Sequence, residues 1–199
     1  MVRNIGWLKE DQLKDLILDL GEKKIIMFII DIDNSKDIFG ESIDLDVLNN
    51  ILSALKKTFG QEQSFFCKIG RDAFACLLIY DANFSLFTIM QQKIDFQNQL
   101  KMILNKEITV CMGVSVYPDM CKKREELLSF AYDALFSAKL KGPNNIEVST
   151  SENMKLKSVY FRTTQLEKLS YYSNKNNYSE SEVIRKALDE YLNKKLYNS

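Results

Sequence analysis

The spacing of apolar and polar residues changes period several times along this chain, and each change marks an element. Leu8 to Leu20 repeats apolar residues at helical spacing, and Lys24 to Ile32 (KIIMFIIDI) is a nearly continuous apolar run of the kind found in strands buried on both faces. Helical spacing returns over 45–58. The runs 64–69 and 73–80 predict a hairpin turning through Gly70, Arg71 and Asp72. A longer helix is expected over 84–104, a strand over 107–117, a helix over 124–141 ended by Gly142 and Pro143, and a last strand over 145–148. The order βαββαβ, with extra elements, predicts an α+β fold: an α/β sandwich whose antiparallel-containing sheet is covered by helices on one face.

The pattern shifts again after residue 150. We expect a domain over 1–150, a short polar linker over 151–156 that couples the two parts tightly, and a second domain over 157–199. Lys157 to Thr163 alternates, with Val159, Phe161 and Thr163 on one face and Ser158, Tyr160 and Arg162 on the other, which predicts a strand. Leu166, Leu169 and Tyr172 then recur at helical spacing over 165–172, and the run 173–178 (SNKNNY) reads as a turn. Ser179 followed by Glu182 fits a capping box. It opens a helix striped by Val183, Ile184, Ala187, Leu188, Tyr191 and Leu192. One strand and two helices of this size cannot bury enough apolar surface alone, so a homodimer is expected.

Composition narrows the function classes. At 199 residues, 46% hydrophobic and 27% charged, the chain has room for one medium domain and one small one. It has no leader-like segment and no apolar run of the ~20 residues needed to span a bilayer, so a cytoplasmic protein with no membrane partner is expected. Cys67, Cys76, Cys111 and Cys121 lack C-x-x-C spacing and read as reduced thiols. The absence of histidine removes Ser-His and Cys-His nucleophile schemes, His-ligated zinc and His general bases. From Lys155 onward nine basic residues face five acidic ones, a net charge of +4, while the whole chain is neutral. The basic excess is local to the tail.

Two acidic positions are predicted to converge: Asp31 and Asp33 at the end of the first strand, and Asp72 at the hairpin tip. Carboxylates so placed suit a hard cation held together with substrate phosphates. Asp31-Ile32-Asp33-Asn34-Ser35-Lys36, Lys68-Ile69-Gly70-Arg71-Asp72-Ala73-Phe74, TVCMGVS over 109–115 and AYDALFSAKLKGPN over 131–144 occur in an order that resembles the GGDEF domain of diguanylate cyclases. The resemblance covers about residues 24–148 and implies the palm-like GGDEF fold, Mg2+ held by Asp31 and Asp72, phosphate contact from Lys139, and cyclic di-GMP or GTP as ligand. The departures are as informative. The glutamate that catalysis needs in that family is replaced by Ala73, the second signature glycine by Arg71, and a late basic residue by Pro143. Ile38 is followed directly by Phe39 and Gly40, so the segment carrying the guanine-reading asparagine is missing. A degenerate domain that is not an enzyme is expected, requiring no cofactor. Two roles remain open for it: a scaffold for dimerisation, or a nucleotide sensor in which Arg71 and Lys139 grip phosphate beside Mg2+ at Asp31 and Asp72.

The tail resembles the ribbon-helix-helix family of the MetJ/Arc type through Ser179, Ser181, Glu182, Val183, Ile184, Arg185, Ala187, Leu188, Tyr191 and Leu192. That resemblance implies two strands paired across a dimer and laid in the DNA major groove. Ser158, Tyr160 and Arg162 would face the bases, and Ser179 and Ser181, at a helix N-terminus, would meet a phosphate. The expectation is a sequence-specific, homodimeric transcriptional regulator with double-stranded DNA as partner. The competing reading is a cyclic-nucleotide enzyme of the diguanylate cyclase type, dimerised by its tail.

Overall fold

A computed structural model describes residues 7–60, 63–80, 85–150 and 155–197. The chain divides into two units, Met1–Ser151 and Glu152–Ser199.

In the larger unit, helix α1 (Glu10–Asp19) leads into strand β1 (Ile25–Ile32). After it come a short helix α2 (Ser35–Phe39), helix α3 (Leu45–Phe59), the hairpin β2 (Ser64–Lys68) and β3 (Ala73–Ile79), helix α4 (Leu86–Leu104), strand β4 (Val110–Tyr117), helix α5 (Leu127–Leu140) and strand β5 (Ile146–Val148). The sheet runs β2-β3-β1-β4-β5. Only the β4–β5 pair is parallel; β1 is antiparallel to both its neighbours, with Asp31 opposite Ala73 on one side and Cys111 on the other. This is the expected α+β sandwich with an antiparallel-containing sheet.

Helices cover both faces of the sheet, which corrects the expectation of one covered face. On one face Ile26, Phe28, Ile30 and Ile32 pack with Ile51, Leu55 and Phe59 of α3 and Phe96 and Leu100 of α4. The rings of Phe28, Phe59 and Phe96 form a chain with centroids 5.0 and 6.0 Å apart. On the other face α5 lies against β4 so closely that a Cβ at Gly113 would clash with the Ala131 carbonyl and the Leu135 amide. The continuous burial of Ile25–Ile32 follows directly: a strand covered on both sides has no polar face to alternate with. Each large side chain so buried contributes about 1.5–3 kcal/mol.

Two boundaries differ from the periodicity. Residues 124–126 form a 3-10 turn before α5, and α4 begins at Leu86, the expected start at Phe84 lying outside the described residues. Helix α2 has no sequence signal of its own, because five residues show less than two turns of apolar repeat.

The smaller unit contains helices α6 (Thr163–Asn176) and α7 (Glu180–Tyr197). The expected turn over 173–178 is shorter than its composition suggested. The Asn176 side chain donates to the Tyr172 carbonyl at 2.8 Å and carries α6 onward, and Asn177, at φ 56°, ends it in the left-handed conformation that asparagine tolerates. The expected strand over Lys157–Thr163 is not formed. Residues 155–162 carry no regular structure and are all exposed, and Thr163 is already helical. A strand needs a neighbour to pair with, and the described residues of this unit offer none within one chain. The linker expected at 151–156 lies mostly outside the described residues.

Candidate functional site

The carboxyl end of β1, the central strand, and the β2–β3 turn meet at one end of the sheet. The Ile32 amide donates to the Asp72 carbonyl at 3.2 Å, and this bond draws the turn against the strand end. The result is an open pocket of about 460 Å³, lined by Asp31, Asp33, Asp72, Ser35, Lys36 and Lys139, among others. The predicted convergence of Asp31, Asp33 and Asp72 is therefore what the fold produces, and α5 adds Lys139.

Asp31, Asp33 and Asp72 each have a partner within the chain. Lys139 Nζ lies 2.8 Å from Asp31 Oδ1. Burial nevertheless pushes the Asp31 carboxyl up to about 6, with Lys139 opposing that rise and Asp72 and Asp33 adding to it. Asp33 Oδ2 accepts from the Thr109 hydroxyl and from the Asn144 amide, both at 2.8 Å. Asp72 Oδ2 accepts from the Ser35 hydroxyl and lies 3.3 Å from Arg71 Nη1. Behind these groups, buried Lys93 donates to the Asn144 carbonyl at 3.0 Å and to the Asn144 side chain, holding the turn after α5; burial lowers its pKa. Cys111, whose thiol is pushed up to about 11 by burial, donates to the Gly142 carbonyl at 3.4 Å.

Arg71 does not line the pocket. Its Nε donates to the Glu41 carbonyl at 2.9 Å, Nη2 to the Gly40 carbonyl, and Nη1 to Ser35 Oγ at 2.7 Å. The guanidinium is thus turned toward the loop after α2, away from Lys139, with which the sequence reading pairs it as a phosphate grip. The shortened Ile38-Phe39-Gly40 segment explains the turn, because it brings two carbonyls within reach of Arg71. Ser35, Thr109, Lys93 and Asn144 were not singled out from the sequence. Ser35 did carry a signal, a hydroxyl where the resembling family has phenylalanine, while Lys93 becomes visible only once α4 is placed beside the turn after α5.

The residues present do not fit a divalent cation. Asp31 and Asp72 would have to hold it, yet each faces a cation of its own chain, and among the described residues no three acidic or thiol groups gather around a metal position.

In the tail, Ser158, Tyr160 and Arg162 lie in the exposed segment before α6, where the Arg162 amide donates to Gln165 Oε1 at 3.0 Å. Ser179 Oγ accepts from the Glu182 amide at 3.2 Å, which caps α7 and places Ser181 in its first turn. No helix among the described residues is long and apolar enough to cross a membrane.

The model of the family described as "Diguanylate cyclase, GGDEF domain" matches residues 8–145. No curated protein resembles the chain closely enough to count as a relative. Among solved structures, the GGDEF domain of DgcB from Caulobacter crescentus, in complex with c-di-GMP, is 17% identical with a TM-score of 0.55, over 71% of this chain and 91% of that one. The GGDEF domain of PA1120 from Pseudomonas aeruginosa, 17% identical, has a TM-score of 0.55 over 72% and 90%. An active GGEEF domain of a diguanylate cyclase from Vibrio cholerae is 20% identical, with a TM-score of 0.52 over 71% and 90%. Identities this low speak for the fold alone, and the family match ends before the tail begins. On the family match over residues 8–145, the chain belongs to the GGDEF family.

Proposed function

We propose that this chain is a cytoplasmic, homodimeric DNA-binding regulator in which a GGDEF unit without turnover holds two ribbon-helix-helix tails together. The observation that carries the reading is the state of the tail within one chain. Among its described residues only Ser173 and Tyr197 are buried, while Leu156, Val159, Phe161, Leu166, Leu188 and Leu192 are exposed. A 48-residue unit in that state has no core of its own, and an identical chain supplies both the missing apolar face and a strand partner for residues 155–162. Pairing two such segments would turn Ser158, Tyr160 and Arg162 outward as a two-stranded ribbon of the width a major groove admits. The net charge of +4 and the Ser179-capped start of α7 favour phosphate contact at its flanks.

Two features support a GGDEF unit without turnover. Ala73 is fully buried in β3 where a carboxylate would be required, and Arg71 faces the α2 loop. The regulator needs no cofactor. The test is fluorescence anisotropy of duplex DNA from the protein's own promoter region, titrated at two salt concentrations. Sequence-selective, salt-sensitive binding that Arg162→Ala weakens is expected; absence of binding at both salts sinks the reading.

A further inference from the structure

Four carboxylates line the pocket, and the chain answers three of them with its own donors. Asp33 is satisfied by Thr109 and Asn144, Asp31 by Lys139, and Asp72 by Ser35 and Arg71. The third arrangement differs from the other two because Arg71 is held as well as holding. Its guanidinium donates to the Gly40 and Glu41 carbonyls and to Ser35 Oγ while resting against Asp72. A guanidinium stays charged at any accessible pH, and its rigid fork can serve several acceptors at once without paying separately for each alignment.

We infer that Arg71 takes the place of a divalent cation at this pocket: it neutralises Asp72 and ties the β2–β3 turn to the loop after α2, so that the pocket recruits neither a metal ion nor a polyphosphate carried with one. A cation entering at Asp72 would have to displace Arg71 from four acceptors or sit beside it. Like charges that close repel, and a divalent ion doubles the charge set against Arg71. Without a metal the pocket is unfavourable for a polyanion, since Asp31, Asp33, Asp37 and Asp72 line it against Lys36 and Lys139. The inference deepens the proposed regulator by assigning the GGDEF unit the role of scaffold over that of nucleotide sensor. Its test involves no DNA, so this claim and the DNA-binding claim fail separately.

The experiment is a Mn2+ titration of the full chain, reading free Mn2+ by electron paramagnetic resonance, on wild type, Asp72→Ala, Arg71→Ala and the Arg71→Ala/Asp72→Ala double variant. Wild type is expected to leave Mn2+ free into the millimolar range. Arg71→Ala is expected to bind it roughly tenfold more tightly or better, and Asp72→Ala in that background to reverse the gain. Binding to wild type that Asp72→Ala removes overturns the inference. So does an Arg71→Ala chain that melts like wild type and still leaves Mn2+ free. Should Arg71→Ala melt early, Arg71→Gln removes the charge while keeping a donor for Gly40 and Glu41, and the same two outcomes decide.

Discussion

The pocket edge of the GGDEF unit and the C-terminal tail treat their demands in opposite ways. At the pocket Asp31, Asp33 and Asp72 are answered within one chain, and the sheet behind them is covered on both faces. In the tail, an eight-residue segment has no strand partner among the described residues, and both helices leave apolar side chains in water. A region that satisfies itself has little need of a ligand or a partner. A region that does not is where an interaction is to be sought, and here that region lies outside the part of the chain the family match covers. The contrast favours the proposed reading, with recognition in the tail and support in the GGDEF unit.

The largest effect should come from a charge on the pairing face of the tail. Leu188→Asp would set a carboxylate on apolar surface that the proposed dimer buries, and we expect dimer and DNA binding to weaken by roughly a hundredfold or more. The thermal transition of the GGDEF unit should stay where it is. Trp7, the chain's single tryptophan, stacks on Phe74 at 5.3 Å in that unit, so its fluorescence reports on that unit without the tail. A shift of both together would break the comparison. Next in size is Gly113→Ala, whose methyl would meet the backbone of α5. A loss of about 3 kcal/mol in the Trp7-monitored transition is expected, since helix backbone cannot step aside as a side chain can.

A smaller effect tests the self-satisfied pocket through pH. Burial raises the Asp31 carboxyl from 3.8 to about 6, so the folded chain binds that proton more tightly than the unfolded one. Its contribution to stability is complete below pH 3.8 and is lost as pH rises through 6. Asp31→Asn, which does not titrate, should therefore gain on wild type by on the order of 2 kcal/mol between pH 4 and pH 7.5, measured by Trp7 melts. An equal difference at both pH values would contradict the assignment. Smallest is Ser179→Ala, which removes the cap of α7 and should lower tail stability by about 1 kcal/mol. Circular dichroism of helix content near the transition reads it.

Most of the GGDEF unit could be read from periodicity, because long amphipathic helices and a doubly buried strand leave strong apolar signals. The one-face sheet was misjudged even though the continuous run Ile25–Ile32 pointed to cover on both sides. At the pocket, Asp31, Asp33, Asp72 and Lys139 were readable from motif positions. The direction of Arg71 was not readable, because it depends on two carbonyls, of Gly40 and Glu41, that lie 31 and 30 residues away in sequence and carry no side-chain signature. The strand expected at Lys157–Thr163 rested on alternation alone, and alternation records which faces a strand would have without supplying its neighbour.

The most direct measurement titrates one fluorescent promoter duplex with wild type, Arg162→Ala and Lys139→Ala at two salt concentrations. The account predicts salt-sensitive binding by wild type and Lys139→Ala alike, and its loss in Arg162→Ala. Equal binding by wild type and Arg162→Ala, or weakening confined to Lys139→Ala, would contradict it.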